Sequence, residues 1–244
     1  MSHFGTAGPV ALVGSGEFLG QMVPVDAELL AGRPQKAVFL PTAAAEEGPE
    51  RLRYWTDLAT GHYRAMGVEP VPLMVVDRED AERPELAAKV AGAGLVYLSG
   101  GNPGYLAHTL AGTAVWQAIL AAWRAGAALA GCSAGACALS RVAYDFRHPD
   151  RYSGEGLSVV SDLVVIPHFD RFEHWLPGLV DQVLARMPKG AVLVGIDEDT
   201  ALVGDRGGFV VRGQRSVWRI EEDGTRSQFK PGEPAQLSGA APVS

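Results

Sequence analysis

One serine in this chain stands where its neighbours would turn it into a reagent. The stretch Gly131-Cys132-Ser133-Ala134-Gly135 follows the apolar run Ala127-Ala128-Leu129-Ala130 and precedes Ala136-Cys137-Ala138-Leu139. A strand that bends abruptly into a helix presents its middle residue on a strained corner. Only small neighbours fit there, and the helix N-terminus faces a developing oxyanion. Ser133 holds that middle place, so the pattern points to nucleophilic catalysis by a hydroxyl. An ordinary tight turn could use the same residues, and the reading therefore depends on partners elsewhere in the chain.

A hydroxyl attacks poorly unless a base takes its proton, and the usual base is a neutral imidazole with an unperturbed pKa of about 6.5. Of the six histidines, His3 lies near the terminus, His62 and His108 fall in expected helices, and His174 sits in the helical segment beyond Pro167. Packing or solvation is the default for each. His168 follows the apolar run Leu163-Val164-Val165-Ile166 and Pro167, at a strand end, and is the expected base; His148, in the polar loop 144–155, is a weaker rival. A carboxylate would fix the tautomer of that base. Asp197, Glu198 and Asp199 close another expected strand, and Asp145 and Asp150 follow the serine turn, so the residues alone leave the acid open. Backbone N–H groups must receive the oxyanion. Ala134 supplies one, and the glycine pair Gly100-Gly101 after Leu95-Val96-Tyr97-Leu98 is the natural second, because a missing Cβ lets the backbone approach a substrate carbonyl.

These residues need a scaffold that brings strand ends together. Short apolar runs bounded by Gly or Pro alternate with longer mixed segments, the pattern of parallel strands joined by helical crossovers. The expected fold is α/β, three-layer, with a mostly parallel sheet flanked by helices. Strands are expected at 10–13, 37–40, 69–75, 94–98, 127–130, 163–166 and 192–196, and helices at 49–66, 84–91, 103–124, 134–139 and 172–187. The runs 200–203, 208–211 and 216–220, separated by glycine-rich turns, suggest a C-terminal antiparallel ribbon on the sheet edge. Ligands of open α/β sheets bind beyond the carboxyl ends of the strands. Four junctions stand there: Gly14-Ser15-Gly16-Glu17, Ser99-Gly100-Gly101-Asn102, the serine turn, and Pro167-His168-Phe169. The first misses the dinucleotide spacing and is expected to wall the cleft. No cofactor is expected.

The bulk numbers fit a chain of this kind. Its 244 residues suffice for one large core, expected as a single domain over 1–222 with a loosely held tail at 223–244. A net charge of −7, with no cluster of Lys and Arg interleaved with aromatics, argues against nucleic acid. The longest uncharged stretch, around 125–139, is shorter than the roughly 20 apolar residues of a membrane helix. With no secretory pattern in Met1-Ser2-His3-Phe4-Gly5, a cytoplasmic protein is expected. Cys132 and Cys137 are both inside the serine-turn segment, without metal-ligand spacing, and are expected to pack as small buried residues. Trp116, Trp123 and Trp175 on expected helices fit either core or a homo-oligomer contact.

Four segments in order, Gly-Gly-Asn at 100–102, Gly-Cys-Ser-Ala-Gly-Ala at 131–136, Pro-His-Phe at 167–169 and Gly-Ile-Asp-Glu-Asp-Thr-Ala-Leu at 195–202, resemble the serine peptidase family of aspartyl dipeptidase (peptidase E) and cyanophycinase. The likeness runs from Gly14 to about Val203. It implies a fold related to class I glutamine amidotransferases, with serine in place of the amidotransferase cysteine. It further implies Ser133 as nucleophile, His168 as base, and Gly101 and Ala134 as the oxyanion hole. Glu198 becomes the third member, as in cyanophycinase-like sequences; peptidase E uses an acid shortly after the serine turn, which keeps Asp145 and Asp150 as alternates. Asn102 and Arg171 are expected to touch substrate, with Arg147 and Arg151 as further cations for an acidic one. The segment 169–174 lacks the arginine series of cyanophycinase-like sequences, and the Asp-Gln they carry before the histidine is missing too. The threonine-arginine-glutamate segment of peptidase E is also missing. The resemblance thus implies a peptidase of short peptides, dipeptidase-like, with Asp-containing substrates as candidates. Cyanophycinase-like cleavage of β-Asp-Arg peptides is the alternative, and the rivals are an amidotransferase-like subunit or a noncatalytic protein of the same fold.

Overall fold

The computed structural model describes residues 7–146, 154–205 and 208–237. In chain order the strands are β1 (Val10–Val13), β2 (Lys36–Leu40), β3 (Glu69–Pro72), β4 (Leu95–Leu98), β5 (Ala128–Cys132), β6 (Val142–Ala143) and β7 (Gly154–Glu155). They continue with β8 (Leu163–Ile166), β9 (Val192–Ile196), β10 (Thr200–Asp205), β11 (Gly208–Gly213), β12 (Val217–Ile220), β13 (Arg226–Phe229) and β14 (Pro234–Ala235).

The central strands are short, continuously apolar and buried along their length, as in Val-Ala-Leu-Val of β1 and Leu-Val-Tyr-Leu of β4. Such strands suit a sheet covered on both faces. The main sheet has the order β14-β11-β10-β1-β5-β4-β2-β3, parallel from β1 through β5, β4 and β2 to β3, and antiparallel from β1 outward through β10, β11 and β14. The two-residue period divides its side chains between two cores. Val10, Leu12 and Val96 pack with Leu106, Trp116 and Ile119 of the helices Pro103–Leu110 and Ala114–Arg124. Ala11, Val13 and Tyr97 pack with Leu29 and Tyr63 of the helices Val23–Leu30 and Pro49–Ala65. Helices thus cover both faces of a mostly parallel sheet, in an α/β fold. Strand β5 lies between β1 and β4, so the residue that follows it emerges at the middle of the carboxyl edge.

A second sheet, β13-β12-β9-β8, has its own core of Val164, Ile166, Phe169, Phe172 and Leu193. Its strands β8 and β9 are parallel, and their carboxyl ends meet that of the first sheet. The junction is close: the Gly14 N–H donates to the Thr200 carbonyl at 2.9 Å, and a Cβ on Gly14 would fall 2.1 Å from the Asp197 carbonyl oxygen.

Several sequence expectations are corrected. The segment 103–124 is two helices, because Gly112 adopts φ 77° and the Thr113 side chain caps a new start by accepting from the Trp116 N–H. The segment 172–187 is likewise divided into Phe169–Trp175 and Leu179–Leu184 around Pro177-Gly178. The helix Val23–Leu30, with a proline in its first turn, was not expected at all. The C-terminal ribbon does not stay on one edge: β10 and β11 extend the first sheet, whereas β12 crosses to pair with β9 in the second. Beyond 222 the chain still forms β13 and β14, which pair with β12 and β11. Trp116 and Trp123 are 4% and 2% exposed and belong to the core. Among the described residues no helix is long and apolar enough to cross a membrane.

Candidate active site

Strand β5 runs straight into the helix Ala134–Leu139, and Ser133 makes the corner at φ 51°, ψ −108°. Few side-chain-bearing residues adopt such a backbone, and its persistence requires strong support from the surroundings. That support is visible on both sides. A Cβ on Gly131 would lie 2.5 Å from the Gly135 carbonyl carbon, and one on Gly135 would lie 2.2 Å from the Leu98 carbonyl oxygen. The two glycines of the sequence pattern are therefore where two pieces of backbone cross. The Ser133 N–H donates to the Val13 carbonyl at 2.9 Å, which ties the corner to β1.

The glycine loop after β4 faces this corner. Gly101 sits at φ 143°, where a Cβ would fall 2.2 Å from the Ala43 carbonyl oxygen, and Gly100 is close enough for a Cβ to touch Ser133 Cβ at 3.5 Å. Gly101, Ser133 and Ala134 line one cavity of about 390 Å³. Among the described residues the N–H groups of Gly101 and Ala134 donate to no backbone acceptor. Beneath the loop lies a residue that sequence reasoning missed. The Glu17 carboxylate, buried under the corner, accepts the Gly100 N–H at 3.0 Å on one oxygen and the Cys132 thiol at 2.8 Å on the other. Burial, together with the Glu17 charge, pushes the Cys132 thiol far up, so it stays protonated. Burial also raises Cys137. Both thiols are free and buried. The acidic end of the first glycine-rich junction was the available signal for Glu17, although nothing in the spacing says that it turns inward.

The second sheet supplies the other half. His168 ends the β8 junction in the left-handed region, φ 48°, ψ 37°, at the start of the helix Phe169–Trp175. Its Nε2 lies 3.1 Å from Ser133 Oγ, and its Nδ1 lies 3.0 Å from Glu198 Oε1, beyond β9. Glu198 is held in turn. Arg171 Nε donates to its Oε2 at 3.1 Å, and its backbone N–H donates to Asp170 Oδ1 at 2.9 Å, while Arg215 pairs with the other Asp170 oxygen. Burial pushes the Glu198 carboxyl up, but the hydrogen bonds and charges of His168 and Arg171 outweigh it and hold the group below its ordinary range.

The neighbouring acids have other partners. Asp197 accepts from Trp218 Nε1 at 3.0 Å and from the Ser216 N–H at 3.1 Å, and Asp199 accepts from Gln21 at 3.1 Å. Asp145 is buried in the cavity lining, whereas the carboxylate that meets His168 is that of Glu198. Asp150, His148, Arg147 and Arg151 lie outside the described residues. The two residues expected to touch substrate are engaged elsewhere. Asn102 caps the helix Pro103–Leu110 by accepting from the Tyr105 N–H and donates to Glu46, and Arg171 sits on Glu198; neither lines the cavity. Among the described residues no cluster of three or more His, Cys, Asp or Glu has the arrangement of a metal site.

A hydroxyl, an imidazole and a carboxylate in a row can move a proton, and the backbone of Gly101 and Ala134 lines the same cavity. The pattern of Peptidase family S51 matches residues 11–211. The chain belongs to peptidase family S51. This S51 peptidase is 28% identical over 231 residues to a cyanophycinase of Synechococcus elongatus, covering 90% of this chain and 70% of the relative. It is 36% identical to a peptidase from an acI-B1 Actinobacterium, whose crystal structure it matches with a TM-score of 0.85 over 97% of both chains. A putative peptidase E protein from Listeria monocytogenes EGD-e shares the fold, with a TM-score of 0.65 at 18% identity over 85% of this chain and 99% of the other. The chain is thus a peptidase of a serine-type family, with a peptidase E-like fold.

Proposed function

We propose that this S51 peptidase hydrolyses short peptides through an acyl-enzyme on Ser133. The observation that carries the reading is the position of His168, one ring nitrogen 3.1 Å from Ser133 Oγ and the other 3.0 Å from Glu198. Glu198 accepts the Nδ1 proton, which leaves Nε2 unprotonated and aimed at the hydroxyl. As Ser133 attacks the peptide carbonyl, its proton passes to Nε2 and negative charge collects on the carbonyl oxygen, where the Gly101 and Ala134 N–H groups receive it. His168 then gives the proton to the departing amine, and the peptide bond breaks. Water enters, loses a proton to Nε2 and attacks the acyl ester, and collapse of the second tetrahedral species frees Ser133. Glu198 stays ionised throughout and stabilises the transient imidazolium.

A cavity of about 390 Å³ suits a few residues of peptide rather than a folded chain. Dipeptidase-like action is the finer reading, in the cytoplasm, where buried thiols such as Cys132 and Cys137 remain reduced. The likeness to a cyanophycinase favours a second reading, cleavage of β-Asp-Arg peptides. The test is a screen of dipeptides and tripeptides, including Asp-Xaa and β-Asp-Arg forms, against the wild type and Ser133→Ala, with labelling by a fluorophosphonate. Cleavage that disappears with the hydroxyl, and label found on Ser133, are the expected results. Turnover that survives Ser133→Ala would dispose of the mechanism.

A further inference from the structure

The hydrolytic reading uses one edge of the cavity and leaves its walls without a role. Those walls are rings. Tyr144 stacks on Phe146 with centroids 5.9 Å apart, Phe146 meets Phe172 at 5.5 Å, and Phe172 meets Trp175 at 5.6 Å. The series ends against the proposed base, with Trp175 6.2 Å from the His168 ring. Two adjacent large apolar residues, Trp175 at 59% and Leu176 at 38%, are left exposed at the mouth. Single exposed hydrophobic residues are ordinary, but a contiguous apolar surface at a cleft marks a binding site.

The charges point the same way. Among the described residues no lysine or arginine lines this cavity, and its buried acid, Asp145, gives a carboxylate no positive counterpart. Past Tyr144, Phe146 and Trp175 the cavity continues into a second hollow of about 290 Å³, and Arg186 enters the lining only there. Among the described residues, the arginine that lines this continuous hollow therefore lies beyond the rings rather than beside Ser133.

We infer that this S51 peptidase selects short peptides carrying a bulky apolar side chain, aromatic or branched aliphatic, next to the scissile bond, and discriminates against aspartate at that place. The inference rests on the hydrolytic reading of Ser133 and His168 and adds the substrate class. An aromatic or aliphatic side chain gains ring contact and loses water on entering such a cleft. A carboxylate would give up its hydration for faces of rings, with no lysine or arginine among the described residues of the lining to receive it.

The test measures binding and turnover separately. Binding of Phe-, Leu- and Asp-containing dipeptides and tripeptides to Ser133→Ala is followed by calorimetry, and kcat/KM of the same peptides is measured on the wild type. Apolar peptides are expected to bind and react at least about tenfold better than their Asp counterparts. Trp175→Ala, at an exposed position that the fold tolerates, is expected to raise KM for the apolar peptides about fivefold with kcat little changed, and Trp175→Phe to restore most of it. Equal or stronger binding or turnover of the Asp peptides overturns the inference, as does an unchanged KM in Trp175→Ala. Apolar preference in binding with no hydrolysis by the wild type would sink the hydrolytic reading alone. Ser133-dependent hydrolysis that favours Asp would sink the substrate class alone.

Discussion

Among the described residues two imidazole–carboxylate pairs occur, and they serve opposite ends. His62 Nε2 lies 2.7 Å from Asp26 Oδ2, with both side chains 3% exposed, between the helices Val23–Leu30 and Pro49–Ala65. Around it are Phe18 and Tyr63, with ring centroids 6.0 and 5.1 Å from His62. His168 and Glu198 make a pair of similar length at 3.0 Å, but they are about one-fifth and one-quarter exposed, and the remaining ring nitrogen faces Ser133. The chemistry of the two side-chain types is the same in both places. What differs is access: one pair is sealed in a core and can only hold two helices together, and the other opens on a cavity where a proton has somewhere to go. Burial pushes the Asp26 carboxyl up despite the pull of His62, whereas Glu198 is held down by His168 and Arg171 acting against a weaker burial.

The comparison is broken most severely at the open pair. Ser133→Ala removes the proton donor and is expected to lower kcat by about three to six orders of magnitude. The fold should be untouched, since Ala occupies the same strained corner; the unfolding midpoint is the check. At the closed pair the balance reverses. Asp26→Ala leaves an imidazole buried without its partner, and breaking one side of such a pair costs about 3–5 kcal/mol of stability. Denaturant unfolding should register that loss, with kcat/KM of the surviving folded enzyme within about twofold of wild type because nothing in the cavity has moved. Large losses of turnover in folded Asp26→Ala would mean that the two pairs are not independent.

How much of this could be read in the chain follows the same division between backbone and side chains. The serine corner was legible because its demands are backbone demands: Gly131 and Gly135 are crossings that admit no Cβ, and that requirement shows as residue type at fixed spacing. Strands β1, β8 and β9 were legible at their stated bounds because each is an uninterrupted apolar run between polar or turn-forming residues. The path of β12 was not, because an alternating strand looks the same whichever sheet accepts it; tertiary packing decided it. Residues alone left the acid open among five carboxylates, and only three-dimensional placement sets Asp197 on Trp218 and Glu198 on His168. Glu17 and the aromatic walls were invisible for a related reason. Their partners lie far off in sequence, Gly100 for Glu17 and Phe172 for Phe146, with no local period to announce them.

A smaller effect sharpens the contrast within the catalytic half. The Glu17 carboxylate joins the two arms of the proposed oxyanion hole, the loop of Gly100 and the strand end at Cys132. Glu17→Gln keeps an acceptor for the Gly100 N–H but gives up its charge and turns an amide toward the thiol. A slightly misaimed Gly101 N–H should then stabilise the transition state less while binding the ground state as before. The expected result is a fall in kcat of about tenfold with KM unchanged. A change confined to thermal stability would make Glu17 a packing residue only.

The gentlest test concerns the charge that keeps Glu198 ionised. Its carboxyl lies below the ordinary value of 4.5 because His168 and Arg171 outweigh the effect of burial. A group with a depressed folded-state pKa adds stability that is present above its unfolded value and is lost as the pH falls through the folded one. Arg171→Gln takes away one of the two restraining partners, so this loss of stability should begin at a higher pH than in the wild type. The fall of the unfolding midpoint on acidification would move toward neutrality by less than about one unit. High salt should move the wild type part of the way in the same direction, since the guanidinium is half-exposed and open to screening. An acid dependence of the unfolding midpoint that stays in place in Arg171→Gln would assign control of Glu198 to His168 alone, and Arg171 would be a surface charge without influence on that carboxylate.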